Sequence, residues 1–218
     1  MRLFTILVLF VGISFTSCKK YKLKQPAYLT LNWDFFNEDP SGSKIDITGG
    51  FFYLGHLKVH GVRAEGPDVE IEQQLPSEQI SFSGGGSLGL SIDVPVGDYT
   101  DFAVELEVDD QSKPCMVLYG LFNKGGMLIP VRVEWSASQL LTFTPTQLFE
   151  LKKKENYNLF VGIDVHLLLN GITPQKWGEA IVSMEEGTPT IVVKTNNNHS
   201  LFNQIDHNLK TALKLTLK

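Results

Sequence analysis

The chain alternates between apolar and polar positions with a period of two residues. The clearest case is the segment 101–108, in which Phe102, Val104, Leu106 and Val108 alternate with acids and alanine. Segments 29–35 and 129–135 alternate similarly. Successive side chains of a strand point to opposite faces, so this period predicts strands with one buried and one wet face. Turn-forming clusters separate the strands at 39–42, 84–86, 95–98 and 125–126. The pattern predicts a mainly β, antiparallel sandwich.

The pattern changes toward the carboxyl end. The apolar run Tyr157–Leu169 predicts a strand buried on both faces, and the segment Pro174–Met184 predicts a short helix. Apolar residues spaced three and four apart over Ser200–Leu213 predict an amphipathic helix, which the run Asn196–Asn198 could cap. The final alternation, 213–217, predicts a closing edge strand, and residues 191–193 predict another strand.

The first seventeen residues have the pattern of an export signal. Arg2 precedes an uncharged, mostly apolar run, Leu3–Phe15, which is shorter than the roughly 20 residues that a membrane-spanning helix needs. The run ends in Thr16-Ser17-Cys18, and Phe15–Cys18 resembles the lipobox of Bacteroidota lipoproteins, in which the cysteine is acylated. The domain prediction is a signal peptide at 1–17, a lipidated cysteine and basic tether at 18–25, and a sandwich with a helical carboxyl-terminal segment at 26–218. Two abutting sandwiches are the alternative for 26–218, and an ordinary secretory signal is the alternative for 1–17.

Charge and cysteine content narrow the possible partners. Removal of the signal takes away Arg2 and lowers the formal charge from −5 to −6, which argues against nucleic acid as a partner. Lysines 19, 20, 22 and 24 form a local basic cluster that either lies against lipid headgroups or is a solvated tether. Their position, where some surface lipoproteins carry an acidic export signal, favours a periplasm-facing protein of the outer membrane. Lipidation of Cys18 would leave Cys115 as the single thiol, interpreted as a buried hydrophobe.

Several motifs suggest catalysis, but their context argues against it. Gly84–Gly89 matches both the dinucleotide-binding and the nucleophile-elbow patterns, yet an alternating strand follows where each motif requires a helix. His56 and His60 lie on a predicted strand, where their spacing separates them by about 13 Å. Asp164 and His166 share a predicted strand face, but two ligands do not make a zinc site. No catalytic residue, metal or cofactor is therefore predicted. A hydrolase that combines Asp164, His166 and Glu134 is the weaker alternative.

Some aromatic residues exceed what strict alternation would bury. Four of them are candidate ligand contacts that could stack on a sugar or a partner side chain: Phe36, Phe52, Tyr53 and Trp177. The alternative is that adjacent aromatics fill the two faces of an inner strand. If these four side chains converge on an exposed strip, they favour ligand binding. If they are buried, they are core residues.

The segment Val94–Phe102, with its Gly-x-Tyr-Thr turn, resembles a hairpin of Bacteroidota β-sandwich lipoproteins with immunoglobulin-like or transthyretin-like domains, including distant fimbrillin-type proteins. The resemblance implies this fold and an envelope address, and it transfers no site residue. The sequence therefore predicts an envelope-anchored, non-catalytic binding or structural module, with the membrane and an envelope protein or glycan as partners. A glycan-binding or fimbria-associated adhesin is the first alternative.

Overall fold

The computed structural model describes residues 26–36, 44–109, 111, 113–145 and 147–218. Of these residues, 66% lie in strands and 13% in helices, so the chain is mainly β as the alternation predicts. The signal peptide, Cys18, the tether at 18–25 and the turn at 39–42 lie outside the described residues.

The smaller sheet has four strands in the order β13-β10-β1-β4. Their bounds are β1 Pro26–Phe36, β4 Gly85–Pro95, β10 Asn156–Asp164 and β13 Leu213–Leu217. The first strand lies inside this sheet, antiparallel to β4 and parallel to β10. The edge strand predicted at 213–217 is confirmed as β13, which pairs with β10.

The larger sheet has nine strands and curls into a half-barrel. Its strands are β2 Ile45–Arg63, β3 Val69–Ser83, β5 Gly97–Val108, β6 Met116–Lys124, β7 Met127–Trp135, β8 Gln139–Phe143, β9 Phe149–Leu151, β11 Val182–Glu185 and β12 Thr188–Val193. The long strand β2 pairs with β3 along most of its length, while its first half also pairs with β6 and its second half with β5. Gly125 and Gly126 both have positive φ and form the two-residue turn of the β6–β7 hairpin.

Both sheets are mixed, which corrects the expectation of purely antiparallel pairing. Strands β1 and β10 pair in parallel, and so do β7 and β12. Each parallel pair joins strands separated by a long stretch of chain, because parallel neighbours require a crossover connection and not a tight turn. The period-two pattern of a strand does not reveal the direction of its neighbour.

The two sheets share one hydrophobic core. Trp33 of β1 is fully buried and stacks on Phe82 of β3, with ring centroids 4.4 Å apart. Phe52 of β2 lies 5.5 Å from the same indole ring, again measured between centroids. These contacts join the smaller sheet to the larger one, and full burial of each such ring contributes about 1.5–3 kcal/mol.

The segment Val94–Phe102 connects the two sheets and is not a hairpin. Strand β4 pairs with β1 in the smaller sheet, whereas β5 pairs with β2 in the larger one. Tyr99 is 2% exposed and donates its hydroxyl hydrogen to the Pro95 carbonyl. Burial raises the pKa of Tyr99 to about 12, and the positive charge of Arg63 lowers it by a smaller amount.

Gly84 makes the other crossing, from β3 to β4, at φ 69°. The alternating segment that follows the glycine run forms strand β4, as the sequence predicts.

Three helices occur in the described part of the chain: α1 Val165–Leu168, α2 Pro174–Gly178 and α3 His199–Ala212. The strand predicted over 157–169 ends at Asp164, because the Asp164 carboxylate accepts a hydrogen bond from the Leu167 backbone and caps α1. The helix predicted over 174–184 is confirmed only for Pro174–Gly178, about one turn, and edge strand β11 begins at Val182.

The carboxyl-terminal amphipathic helix is confirmed as α3, whose Phe202, Ile205 and Leu209 are buried. Asn198 occupies the N-cap position of α3 at φ 52°, as predicted, but its side chain makes no capping hydrogen bond. Its side chain instead binds Ile181, through the backbone N–H and the carbonyl, and the Val192 carbonyl. This amide therefore holds β11 against the end of β12.

A buried amide holds α3 to α1. Asn208, 7% exposed, donates from Nδ2 to the carbonyls of Leu168 at 2.9 Å and Asn170 at 2.8 Å. Its Oδ1 accepts a hydrogen bond from Gln204 at 3.2 Å. The carbonyls at the end of α1 thereby obtain partners that the short helix itself does not provide.

Candidate functional site

The candidate site lies on the outer face of the larger sheet, where β2, β6, β7 and β12 are neighbours. Because Phe52 points into the core, its neighbours Phe51 and Tyr53 point outward. The registers place Phe51 opposite Val117, Tyr119 opposite Arg132, and Val117 opposite Glu134. Directly opposed residues of paired strands share a face, so these side chains form one continuous surface.

Three rings form an aromatic cluster on this face: Phe51, Tyr53 and Tyr119. The centroid of Phe51 lies 5.8 Å from Tyr53 at 82° and 6.2 Å from Tyr119 at 53°. Both distances lie in the range of favourable aromatic contacts. Tyr53 donates its hydroxyl hydrogen to Oε1 of Gln79 at 3.1 Å, and Tyr119 is 40% exposed. Tyr119 thus presents an accessible ring beside two partly buried ones.

A carboxylate with two cationic partners lies next to the aromatic cluster. Glu134 is 8% exposed, and its Oε1 lies 2.7 Å from Nε of Arg132 while its Oε2 lies 3.5 Å from Nζ of Lys194. Burial of a carboxylate is costly unless cations compensate it, and here each oxygen has one. Glu134 thereby links Arg132 of β7 to Lys194, the residue that follows β12.

An ionic pocket of about 430 Å³ opens around this carboxylate. It is lined by Lys113, Pro114, Arg132, Glu134, Ser136, Glu185, Lys194, Thr195 and Asn196. The lining combines three cations, two carboxylates and neutral hydrogen-bonding groups. The ionic pocket adjoins the aromatic cluster because Arg132 lies directly across the β6–β7 pair from Tyr119.

The structure separates the aromatic residues that the sequence singled out. Tyr53 lies in the aromatic cluster, and Phe36 is half-buried at the end of β1. Phe52 and Trp177 are 0% and 1% exposed, and Trp177 packs against Phe122 at 6.3 Å between centroids. These two are core residues and not surface contacts, because each lies on the inward side of the sheet or helix that carries it.

Sequence reasoning missed Tyr119 and the pairing of Arg132 with Lys194 through Glu134. Arg132 and Glu134 are the polar residues of the alternation in β7 and lie two positions apart, which indicates that their side chains share one face. Tyr119 lies in the largely apolar strand β6, and only the register with β7 shows that it faces Arg132. Contacts across strands require a known register, and local alternation does not supply one.

The structure places the residues proposed for a hydrolase on three different elements. Glu134 lies on the outer face of the larger sheet, whereas Asp164 caps α1 at the end of a strand of the smaller sheet. His166 lies on α1 and not on a strand, so it does not share a strand face with Asp164. His56 and His60 lie on β2 as expected. Within the described ranges, no three His, Cys, Asp or Glu residues converge as metal ligands.

Cys115 is fully buried, and its thiol lies 3.1 Å from the Trp135 carbonyl oxygen and 3.0 Å from that of Ala137. No helix among residues 26–36, 44–109 and the later described segments is long and apolar enough to cross a membrane.

Comparison with protein-family models, with curated proteins and with solved structures finds no match to this chain.

Proposed function

We propose that this chain is a lipid-anchored, non-catalytic binding protein of a Bacteroidota-type cell envelope, and that it binds its ligand on the outer face of the larger sheet. The observation that carries the binding role is the aromatic cluster beside the ionic pocket. A rigid sheet presents both, so a ligand would meet preformed contacts and little binding energy would be lost in ordering the site.

The envelope address rests on the amino-terminal sequence. The apolar run 3–15 and the lipobox-like Phe15–Cys18 support acylation of Cys18, and the lysines at 19–24 support attraction to anionic headgroups. The absence of acids directly after Cys18 supports a periplasm-facing outer-membrane lipoprotein. Residue 26 starts β1, so the anchor would connect to a central strand of the smaller sheet through a short tether.

The finer fold proposal is an immunoglobulin-like or transthyretin-like sandwich, modified by two parallel strand pairs. Two features support it. The two sheets share one core, and the chain crosses from one sheet to the other at Gly84 and again at Pro95–Gly97. The hydrogen bond from Tyr99 back to the Pro95 carbonyl is similar to the tyrosine corner found in immunoglobulin-like sandwiches.

Anchoring is tested by palmitate labelling of the full-length protein and a Cys18→Ala variant, combined with protease shaving of intact cells. We expect label on the wild type, none on the variant, and protection of the domain from external protease. An unlabelled wild-type protein would refute the anchor, and cleavage in intact cells would place the domain on the outside.

Glycan binding is the second candidate function, and the exposed ring of Tyr119 is the observation that favours it. Sugar rings present apolar C–H faces that pack on aromatic rings, and hydroxyls that need hydrogen-bond partners. Tyr28 offers a matched control, because it is a tyrosine of similar exposure, 43%, on the other sheet. In a binding screen against immobilised oligosaccharides, Tyr119→Ala should lose retention while Tyr28→Ala keeps it. Equal retention by both variants would exclude this face.

A further inference from the structure

We propose that the aromatic cluster and the ionic pocket together bind an acidic glycan, with a sugar ring stacked on Tyr119 and its carboxylate held by Lys113, Lys194 and Arg132. The inference rests on the proposed binding role of this face and names its ligand class.

The local charge favours an anionic ligand. The chain as a whole has a formal charge of −5, yet the ionic pocket is lined by three cations and only two carboxylates. Glu134 is already engaged by Arg132 and Lys194. Lys113 is exposed at the rim. A cationic or neutral ligand would leave this excess positive charge uncompensated, whereas one ligand carboxylate would balance it.

The cations retain hydrogen-bonding capacity for such a carboxylate. A guanidinium has five N–H donors, and Nε of Arg132 forms an ion pair with Glu134 at 2.7 Å that lacks hydrogen-bond geometry. Lys194 has three donors, and its Nζ lies 3.5 Å from Glu134, longer than a typical charge-assisted hydrogen bond of about 2.7–2.9 Å. A ligand carboxylate could therefore be bound without breaking the existing pairs.

The neighbouring groups match the rest of a sugar. Tyr119 offers a ring face, and Gly49, opposite it on β2, has no side chain to cover that ring. Ser136, Thr195 and Asn196 supply hydroxyl and amide groups suited to sugar hydroxyls. The pocket volume of about 430 Å³ lies within the range of small-ligand sites. Arg132 joins the two parts, because it lies across from Tyr119 and also lines the pocket.

The test is titration calorimetry of the detergent-solubilised lipoprotein with oligogalacturonate, oligoglucuronate and oligomannuronate, each compared with its neutral counterpart. We expect at least one acidic oligosaccharide to bind about tenfold or more tightly than its neutral counterpart, with an affinity that falls as salt rises. Lys194→Gln and Lys113→Gln should each remove most of this preference for the acidic oligosaccharide. Lys113→Gln serves as the second variant because its exposed side chain is not needed to compensate Glu134.

Two matched controls accompany these variants. Lys152→Gln changes an exposed lysine outside the ionic pocket, and Tyr28→Ala removes an exposed tyrosine of the smaller sheet, so neither should change any affinity. Tyr119→Ala should weaken the binding of acidic and neutral oligosaccharides alike. Neutral binding without acidic preference would overturn the inference and leave glycan binding standing. No binding to any oligosaccharide would overturn both, while the anchoring proposal depends only on the labelling test.

Discussion

Asn208 is expected to be a major determinant of stability although it lies far from any proposed ligand. Its amide holds α3 against the end of α1 through two carbonyls, at 2.9 Å and 2.8 Å. Asn208→Ala removes both donors and leaves these carbonyls in a site from which water is largely excluded. The two lost hydrogen bonds cost about 1 kcal/mol each, and a buried unsatisfied carbonyl adds about 1–3 kcal/mol, so we expect a loss of about 3–5 kcal/mol.

A carboxylate at this position gives a sharper test. Asn208→Asp keeps an acceptor for Gln204 but directs negative charge at two carbonyl oxygens. At neutral pH it should therefore be less stable than Asn208→Ala. Burial and the carbonyls raise the folded-state pKa of the introduced carboxyl above its unfolded value of about 3.9. The protonated form can donate one hydrogen bond, so the defect should be smallest below pH 4 and grow as pH rises through the folded-state pKa.

The assay is urea unfolding followed by tryptophan fluorescence, since all three tryptophans of the chain are buried. Asn203→Ala is the control, because Asn203 is an exposed residue of the same helix, and its change should stay within about 0.5 kcal/mol. A loss below about 1 kcal/mol for Asn208→Ala, or equal stability of the Ala and Asp variants at neutral pH, would refute the reasoning.

Three further predictions concern Tyr99, Cys115 and Asn198. The pKa of Tyr99 is about 12 in the folded protein, against an ordinary value of 10.0. Its contribution to stability should therefore be intact below pH 10 and lost toward pH 12. Between pH 10 and pH 12 the Tyr99→Phe variant should lose less stability than the wild type. Cys115 should react with a thiol reagent only at the rate of unfolding, and fast labelling of the native protein would contradict its burial. Asn198→Ala should be less stable than Asn198→Gly by about 1 kcal/mol, because both lose the same hydrogen bonds but only alanine is strained at φ 52°, and equal unfolding midpoints would argue against this.

Local sequence patterns predicted the strands better than their partners. Alternation identified β1, β5 and β7 because each has one wet and one buried face, and the spacing of Phe202, Ile205 and Leu209 identified α3. The parallel pairs could not be predicted in this way, since the direction of a neighbouring strand leaves no mark on local alternation. The end of β10 did carry a signal, because aspartate at position 164 is a favoured helix cap within an otherwise apolar run.

The candidate site shows the same division. The alternation of each strand predicts which side chains point outward, and it predicts this correctly for Tyr53, Arg132 and Glu134. Their juxtaposition does not, because β2 and β7 both have to pair with β6 before Tyr119 can bridge them. Phe52 and Trp177 drew attention as aromatics, yet only the packing of the two sheets shows that they are enclosed.

The interior position of β1 has a consequence for how the chain is made. During synthesis β1 leaves the ribosome first, but its parallel partner β10 begins only at Asn156, and the neighbouring edge strand β13 ends at Leu217. The smaller sheet can therefore not close until Leu217 has emerged. Long-range pairing of this kind folds slowly because loop closure precedes the contacts that reward it.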